Sequence, residues 1–165
     1  MGKVVTDWQA LSAALEDYRA AGKTIVSTNG VFDILHVGHV RYLQAARKLG
    51  DCLVVGVNSD ECTRHLKGPT RPFVNEADRM ELLAALECVD YVTLFGESTP
   101  EALLETIRPN LHAKGGDYHL ALLPEAEVVE RHGGAVVSVP FEEGHSTTSI
   151  ADRIGRTLAG LEQSE

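Results

Sequence analysis

The sequence predicts an α/β fold: one domain built on a doubly wound parallel five-stranded sheet with flanking helices. Three observations predict it. Short apolar and β-branched runs alternate along the chain with segments of helical periodicity. Two of those runs, Leu53–Val57 and Tyr91–Phe95, are almost continuously apolar, as strands buried on both faces are. The chain has 165 residues, 44% hydrophobic and 24% charged, which suits one domain with a sizeable core and excludes disorder and fibrous repeats.

A helix over residues 7–21 opens the chain. Trp8, Leu11, Leu15 and Tyr18 follow helical spacing, Thr6 and Gln9 read as a capping box, and Gly22 offers the left-handed stop. Residues 23–160 form the core. Lys23–Thr28 is a β-branched strand ending at Asn29-Gly30, and Val40, Leu43, Ala46 and Leu49 mark the helix that follows, closed by Gly50. Beyond the strand Leu53–Val57, Asn75 caps a helix carrying Leu82, Leu83 and Leu86. After Tyr91–Phe95, Thr99-Pro100-Glu101 starts a helix that must end before Pro109. A weaker strand at Leu111–Ala113, a helix from about Pro124 to His132, and a strand at Ala135–Val139 complete five β/α units. The last helix carries Ile150, Ile154, Leu158 and Leu161 on one stripe, and Leu161–Glu165 is expected to fray.

Charge narrows the partners. Fifteen Lys and Arg stand against 24 Asp and Glu, a net charge of −9, so general nucleic-acid binding is disfavoured. A small anionic ligand needs basic residues gathered in one place. No apolar run is long enough to cross a bilayer and the first residues lack the apolar core of a signal peptide, so a soluble, cytoplasmic protein is expected. Cys52, Cys62 and Cys88 show no C-x-x-C spacing and are assigned no chemistry, Cys52 and Cys88 being expected in the core.

Between the Lys23–Thr28 strand and its helix stand two histidines, a carboxylate and two glycines: Asn29, Gly30, Val31, Phe32, Asp33, His36, Gly38 and His39. Gly30 permits close backbone approach, Gly38 opens a helix whose amides and dipole favour phosphate oxygens, and His36 and His39, three apart, can donate to one polyphosphate. The same spacing suits a metal pair, though no third ligand stands nearby, or ordinary core histidines. Arg64, Lys67, Arg71 and Arg79 gather four cations within sixteen positions, and Gly68, Pro69 and Pro72 argue for an irregular loop, either closing over phosphates or simply solvated. Lys114-Gly115-Gly116-Asp117 suits either a nucleotide contact or a plain tight turn. Ser146, Thr147 and Thr148, before the final helix, suit either phosphate binding or a cap.

The ordered pattern Gly30-x-Phe32-Asp33-x-x-His36-x-Gly38-His39 resembles the signature of the cytidylyltransferase-like nucleotidyltransferases. The resemblance implies a Rossmann-like sheet and transfer of a nucleoside monophosphate to a phosphorylated alcohol or sugar, with pyrophosphate leaving. It implies catalytic roles for His36, His39 and Lys67. Nucleotide contacts are implied for Asn29, Gly30, Val31, Phe32, His36, Gly38, His39, Arg79, Lys114, Gly115, Asp117, Ser146, Thr147 and Thr148. Lys67, Arg64, Arg71 and Asp33 would bind the sugar phosphate, Asp33 by orienting the sugar or a nearby basic group. Mg²⁺ is expected with ATP, held through phosphates and water, so no metal ligand is assigned.

Leu66–Pro72, Asp78-Arg79, Leu83–Val92 and Lys114–Tyr118 together resemble the D-glycero-β-D-manno-heptose 1-phosphate adenylyltransferases of that family. This narrower resemblance implies ATP and a sugar 1-phosphate as substrates, a homodimer, and a free-standing domain supplied by a separate kinase. His145 departs from the pattern, where an aromatic residue is expected. Three alternatives stand beside it. One is cytidylyl or adenylyl transfer to glycerol 3-phosphate or phosphopantetheine, and another is a noncatalytic nucleotide-binding regulator. The third, a dinucleotide-dependent oxidoreductase, is disfavoured because no G-x-G-x-x-G follows the Lys23–Thr28 strand.

Overall fold

A computed structural model describes residues 1–116, 123–140 and 144–162. Its elements are β1 (Lys3–Val4), α1 (Trp8–Ala20), β2 (Ile25–Gly30), α2 (Val37–Arg47), β3 (Cys52–Asn58), α3 (Asp60–Lys67), α4 (Glu76–Ala84), β4 (Tyr91–Phe95), α5 (Glu101–Ile107), β5 (Leu111–Gly115), α6 (Pro124–Arg131), β6 (Ala135–Val139) and α7 (Thr147–Glu162). The strands form one parallel sheet in the order β1-β4-β3-β2-β5-β6. The winding reverses between β2 and β5, and open sheets of this kind bind ligands where the strand ends part at that point.

The alternation of side chains along β2 and β3 divides the core. Val26, Leu53, Val55 and Val57 join Leu43 and Leu83 on one face, while Ile25, Cys52 and Val54 join Leu11, Leu15, Leu103 and Ile107 on the other. Every residue of β3 is buried, as its apolar run predicts. Cys52 lies in the second of these clusters, where burial pushes its thiol up to about 12, and Cys88 is half-buried against the first.

Several local expectations are corrected. The sheet has six strands rather than five, because the two exposed residues of β1 pair with Tyr91 and Val92 and are too few to show a periodicity. Asp7, not Thr6, caps α1, its carboxylate accepting from the amides of Gln9 and Ala10. Asn29-Gly30 does not follow β2 but completes it, paired with Gly56 and Val57. Residues 64–67 are helical rather than looped: Ser59 caps α3, Asp60 and Glu61 occupy its first turn, and Arg64, His65 and Lys67 its last, a charge order that complements the helix dipole. The helix α7 runs on to Glu162, and residues 163–165 lie outside the described residues.

A histidine that the sequence did not single out lies within the sheet. His112 on β5 is fully buried, its Nδ1 2.8 Å from Ser27 Oγ on β2, and its Nε2 has no partner among the described residues. Burial, reinforced by the charge of Lys114 and opposed by Glu125, pulls its pKa down to about 3. The folded state therefore keeps this ring neutral while the unfolded chain protonates it near pH 6.5. Below that pH the unfolded state binds the extra proton, so stability is lost progressively from 6.5 towards 3. The expected loss at pH 5 is on the order of 2 kcal/mol. Urea midpoints measured from pH 7 to 5 should fall, and less steeply for His112→Gln; an equal slope in that variant would assign the loss to other groups.

Candidate active site

The site is built where β2 ends. Phe32 takes a left-handed backbone conformation, with φ 48°, which few bulky residues adopt, and the chain turns there between β2 and α2. A cleft of about 500 Å³ opens beside this turn, bordered by Asp33, His36, His39, Lys67, Arg71 and the Ser146–Thr148 segment. A second cavity of about 350 Å³ shares Gly30, Val31, Phe32, His39 and Lys67 and reaches Asn29, Lys114 and Gly115. Residues from β2, α2, α3, β5 and the start of α7 thus meet at one place.

His36 and His39 stack with ring centroids 3.8 Å apart, and Phe32 meets His39 edge-on at 5.2 Å. Burial, then the neighbouring His36, pulls the pKa of His39 down to about 4; burial and His145 lower that of His36. Both rings are therefore neutral near pH 7, and the Nδ1 atom of each is buried without a partner among the described residues. His36 occupies the cap position of α2 with no side-chain cap hydrogen bond, so its side chain leaves the helix's first amides unoccupied. Gly38 packs closely: a Cβ there would stand 3.0 Å from the His145 Cβ and 3.1 Å from the His36 ring, so either side chain would have to give by a few tenths of an ångström.

The basic cluster divides into four different roles. Lys67, in the last turn of α3, borders both cavities and has no ion pair among the described residues. Arg71 also borders the cleft, its Nε donating to Asp33 at 2.7 Å and its guanidinium lying 4.5 Å from the Phe73 ring centroid. Arg64 is exposed and borders neither cavity, contrary to expectation: it stands one turn before Lys67 on α3, further back from the cleft. Arg79 is also corrected. Its side chain is fully buried, donating to the carbonyls of Val74, Val31 and Asn58 and pairing with Asp60 at 2.6 Å. It holds the walls of the cleft together and presents nothing to a phosphate.

Asp33 is buried, and its carboxylate accepts from Arg71 and from the amides of Phe73 and Val74 at 2.7 and 3.0 Å. The contact with Arg71 is one of the two arrangements expected of it, a carboxylate beside a basic group. Lys114 donates to Asn29 Oδ1 at 3.2 Å and pairs with Glu125 at 2.5 Å. Ser146 accepts from the amide of Ser149 as a cap does, while Thr147 donates to the Ile34 carbonyl at 3.5 Å. Asp117 lies outside the described residues.

Sequence reasoning missed Tyr42, Asn58 and Glu125. The Tyr42 hydroxyl donates to the Ala113 carbonyl at 2.9 Å and lies 2.7 Å from Thr28 Oγ1, joining β2 to β5 under the second cavity. Asn58 ends β3 at the cleft wall. Tyr42 falls on the apolar stripe of α2, three residues after His39, and that spacing was the only available signal.

The crevice thus lies at the reversal of a parallel sheet, with paired imidazoles, a lysine without an ion pair among the described residues, and a hydroxyl-rich helix start. Residues 27–153 match the Cytidylyltransferase-like family, and the chain belongs to that family. It is 51% identical over 146 residues to the bifunctional protein HldE of Syntrophotalea carbinolica, covering 88% of this chain and 30% of that one. Against the bifunctional protein HldE of Geobacter metallireducens it is 50% identical, covering 92% and 31%. The chain thus spans about a third of the length of these curated relatives. The lipopolysaccharide core biosynthesis protein of Thermoplasma volcanium superposes with a TM-score of 0.60 at 33% identity, over 75% of this chain and all of that one. Pantothenate synthetase of Thermus thermophilus shares the fold, with a TM-score of 0.57 at 17% identity over 84% of this chain and 61% of that one. No helix among the described residues is long and apolar enough to cross a membrane.

Proposed function

We propose that the protein transfers AMP from ATP to a sugar 1-phosphate, D-glycero-β-D-manno-heptose 1-phosphate, giving the ADP-sugar and pyrophosphate. The observation that carries this reading is the meeting of His36, His39 and Lys67 on one cleft with the Asp33-tethered Arg71. Two anionic substrates need such a division of donors. The choice of heptose and adenine rests on the motif resemblance and on the similarity to HldE and to a lipopolysaccharide core biosynthesis protein.

A phosphate-monoester oxygen of the sugar attacks the α-phosphorus in line, forming one P–O bond as the bond to pyrophosphate breaks. This nucleophile is already ionised near neutral pH, so no general base is needed and positioning and charge balance supply the catalysis. His36 and His39 donate N–H to phosphate oxygens, Lys67 faces the reacting phosphates, and Arg71 receives the sugar phosphate. Magnesium fits this site as a companion of the nucleotide. Asp33 is committed to three donors, and Mg²⁺ would be held through the nucleotide's phosphates and water. When bound, it offsets phosphate charge.

Pyrophosphate release tests the reading, with ATP and CTP each offered heptose 1-phosphate, glycerol 3-phosphate and phosphopantetheine and the product masses recorded. Release with ATP and heptose 1-phosphate alone is expected. Release with another pair keeps the chemistry and moves the error to the base or acceptor pocket. Tight nucleotide binding with no release from any pair would favour a regulator. Asp33→Asn should raise the acceptor KM about tenfold while nucleotide KM changes little, because Arg71 loses a charged partner and the 71–74 segment its anchor; an unchanged acceptor KM would separate Arg71 from the acceptor.

A further inference from the structure

We propose that Glu125 is a positioning residue that holds Lys114 at the nucleotide end of the crevice and thereby sets nucleotide affinity, an inference resting on the nucleotide reading above. Glu125 follows Pro124 in the first turn of α6, a place where glutamates are usually solvated, yet it is only 4% exposed. A buried carboxylate is costly unless paired and hydrogen-bonded. Here it is both. Burial raises its pKa, but the Lys114 hydrogen bond and a backbone hydrogen bond outweigh that and hold it below the usual carboxylate range.

The pair is placed for function. From Glu125, Lys114 Nζ reaches across to Asn29 Oδ1, so one line of polar contacts runs from α6 through β5 to β2. Its last two members, Lys114 and Asn29, border the second cavity, whereas Glu125 does not. His112, two residues before Lys114, is neutral, so the carboxylate and ammonium balance one to one. Among the described residues, the three ion pairs with a partner at most 5% exposed are Asp33–Arg71, Asp60–Arg79 and Glu125–Lys114. The first two fix elements of the cleft. The third does the same for its opposite end: without the carboxylate, the four-carbon stem of Lys114 is free to carry its charge towards solvent, and the ordering is then paid for on nucleotide binding.

Calorimetry with α,β-methylene-ATP on the wild type, Glu125→Gln, Lys114→Met and the double variant tests this, with steady-state kinetics and thermal melts alongside. Glu125→Gln should weaken binding and raise nucleotide KM by about tenfold, with kcat changed less than about threefold. The double variant should bind no more weakly than Lys114→Met, since Glu125 acts only through that lysine. A purely structural Glu125 would lower the melting temperature and leave affinity unchanged, and that result overturns the proposal. If Glu125→Gln alone does not fold, Glu125→Asp, which keeps the charge but draws the carboxylate back from Lys114 by one methylene, takes its place: weakened nucleotide binding upholds the role and wild-type affinity overturns it. Wild-type protein that binds no nucleotide overturns the nucleotide reading and this proposal together, whereas wild-type binding with unaffected variants removes Glu125 alone.

Discussion

Replacing His39 by alanine is expected to lower kcat by about 100- to 1000-fold, the cost of removing one preorganised donor from a developing phosphate charge. The structure sharpens this expectation. His39 is neutral in the free protein, wedged between the His36 and Phe32 rings, so it offers its N–H without first shedding a charged hydration shell. Its ring contacts stabilise the fold by only about 1 kcal/mol, so the variant should fold with a melting temperature a few degrees below the wild type. Pyrophosphate release measured beside a thermal melt checks both parts. Turnover near that of the wild type would remove His39 from the catalytic set, and a collapsed melt would make its role structural.

Arg79→Met should destabilise the protein by about 3–5 kcal/mol, the usual result of breaking a buried charge pair. Four acceptors depend on this one guanidinium. The Val31 carbonyl belongs to the turn before α2, Asn58 ends β3, Asp60 opens α3, and Val74 precedes α4. Methionine fills part of the volume but satisfies none of them, leaving buried oxygens and the Asp60 carboxylate without their donor. Lysine should be little better, because one ammonium cannot span the fork. Denaturant unfolding measures the loss directly. If Arg79 instead contacted phosphate, as its motif suggests, stability would stay near wild type and nucleotide KM alone would rise.

These two residues also mark how far the site is legible without coordinates. His36, His39 and Lys67 were readable because their chemistry depends on residue type and on spacing along one short segment, and the structure brings all three to one cleft. Arg79 looked like a phosphate ligand because charge in a motif carries no record of burial. Arg64 looked equivalent to Lys67, yet only Lys67, at the end of α3, borders the cleft, while Arg64 lies one turn back. The helix itself was missed because Gly68, Pro69 and Pro72 dominate the composition there, while the Ser59 cap lies further upstream.

The sequence by itself determined the alternation of strands and helices, the parallel pairing and the family of chemistry, since period, turn residues and motif order are local properties of the chain. Only the tertiary structure decided which charges face a ligand and which hold the walls. Asp33, Arg79 and Glu125 find their partners 38, 48 and 11 positions away, counting Arg71, Val31 and Lys114. The contacts that join β2, β5 and α6 exist only once the sheet has brought those strand ends side by side, and burial then decides whether each charged group is neutralised by a neighbour or left free for substrate.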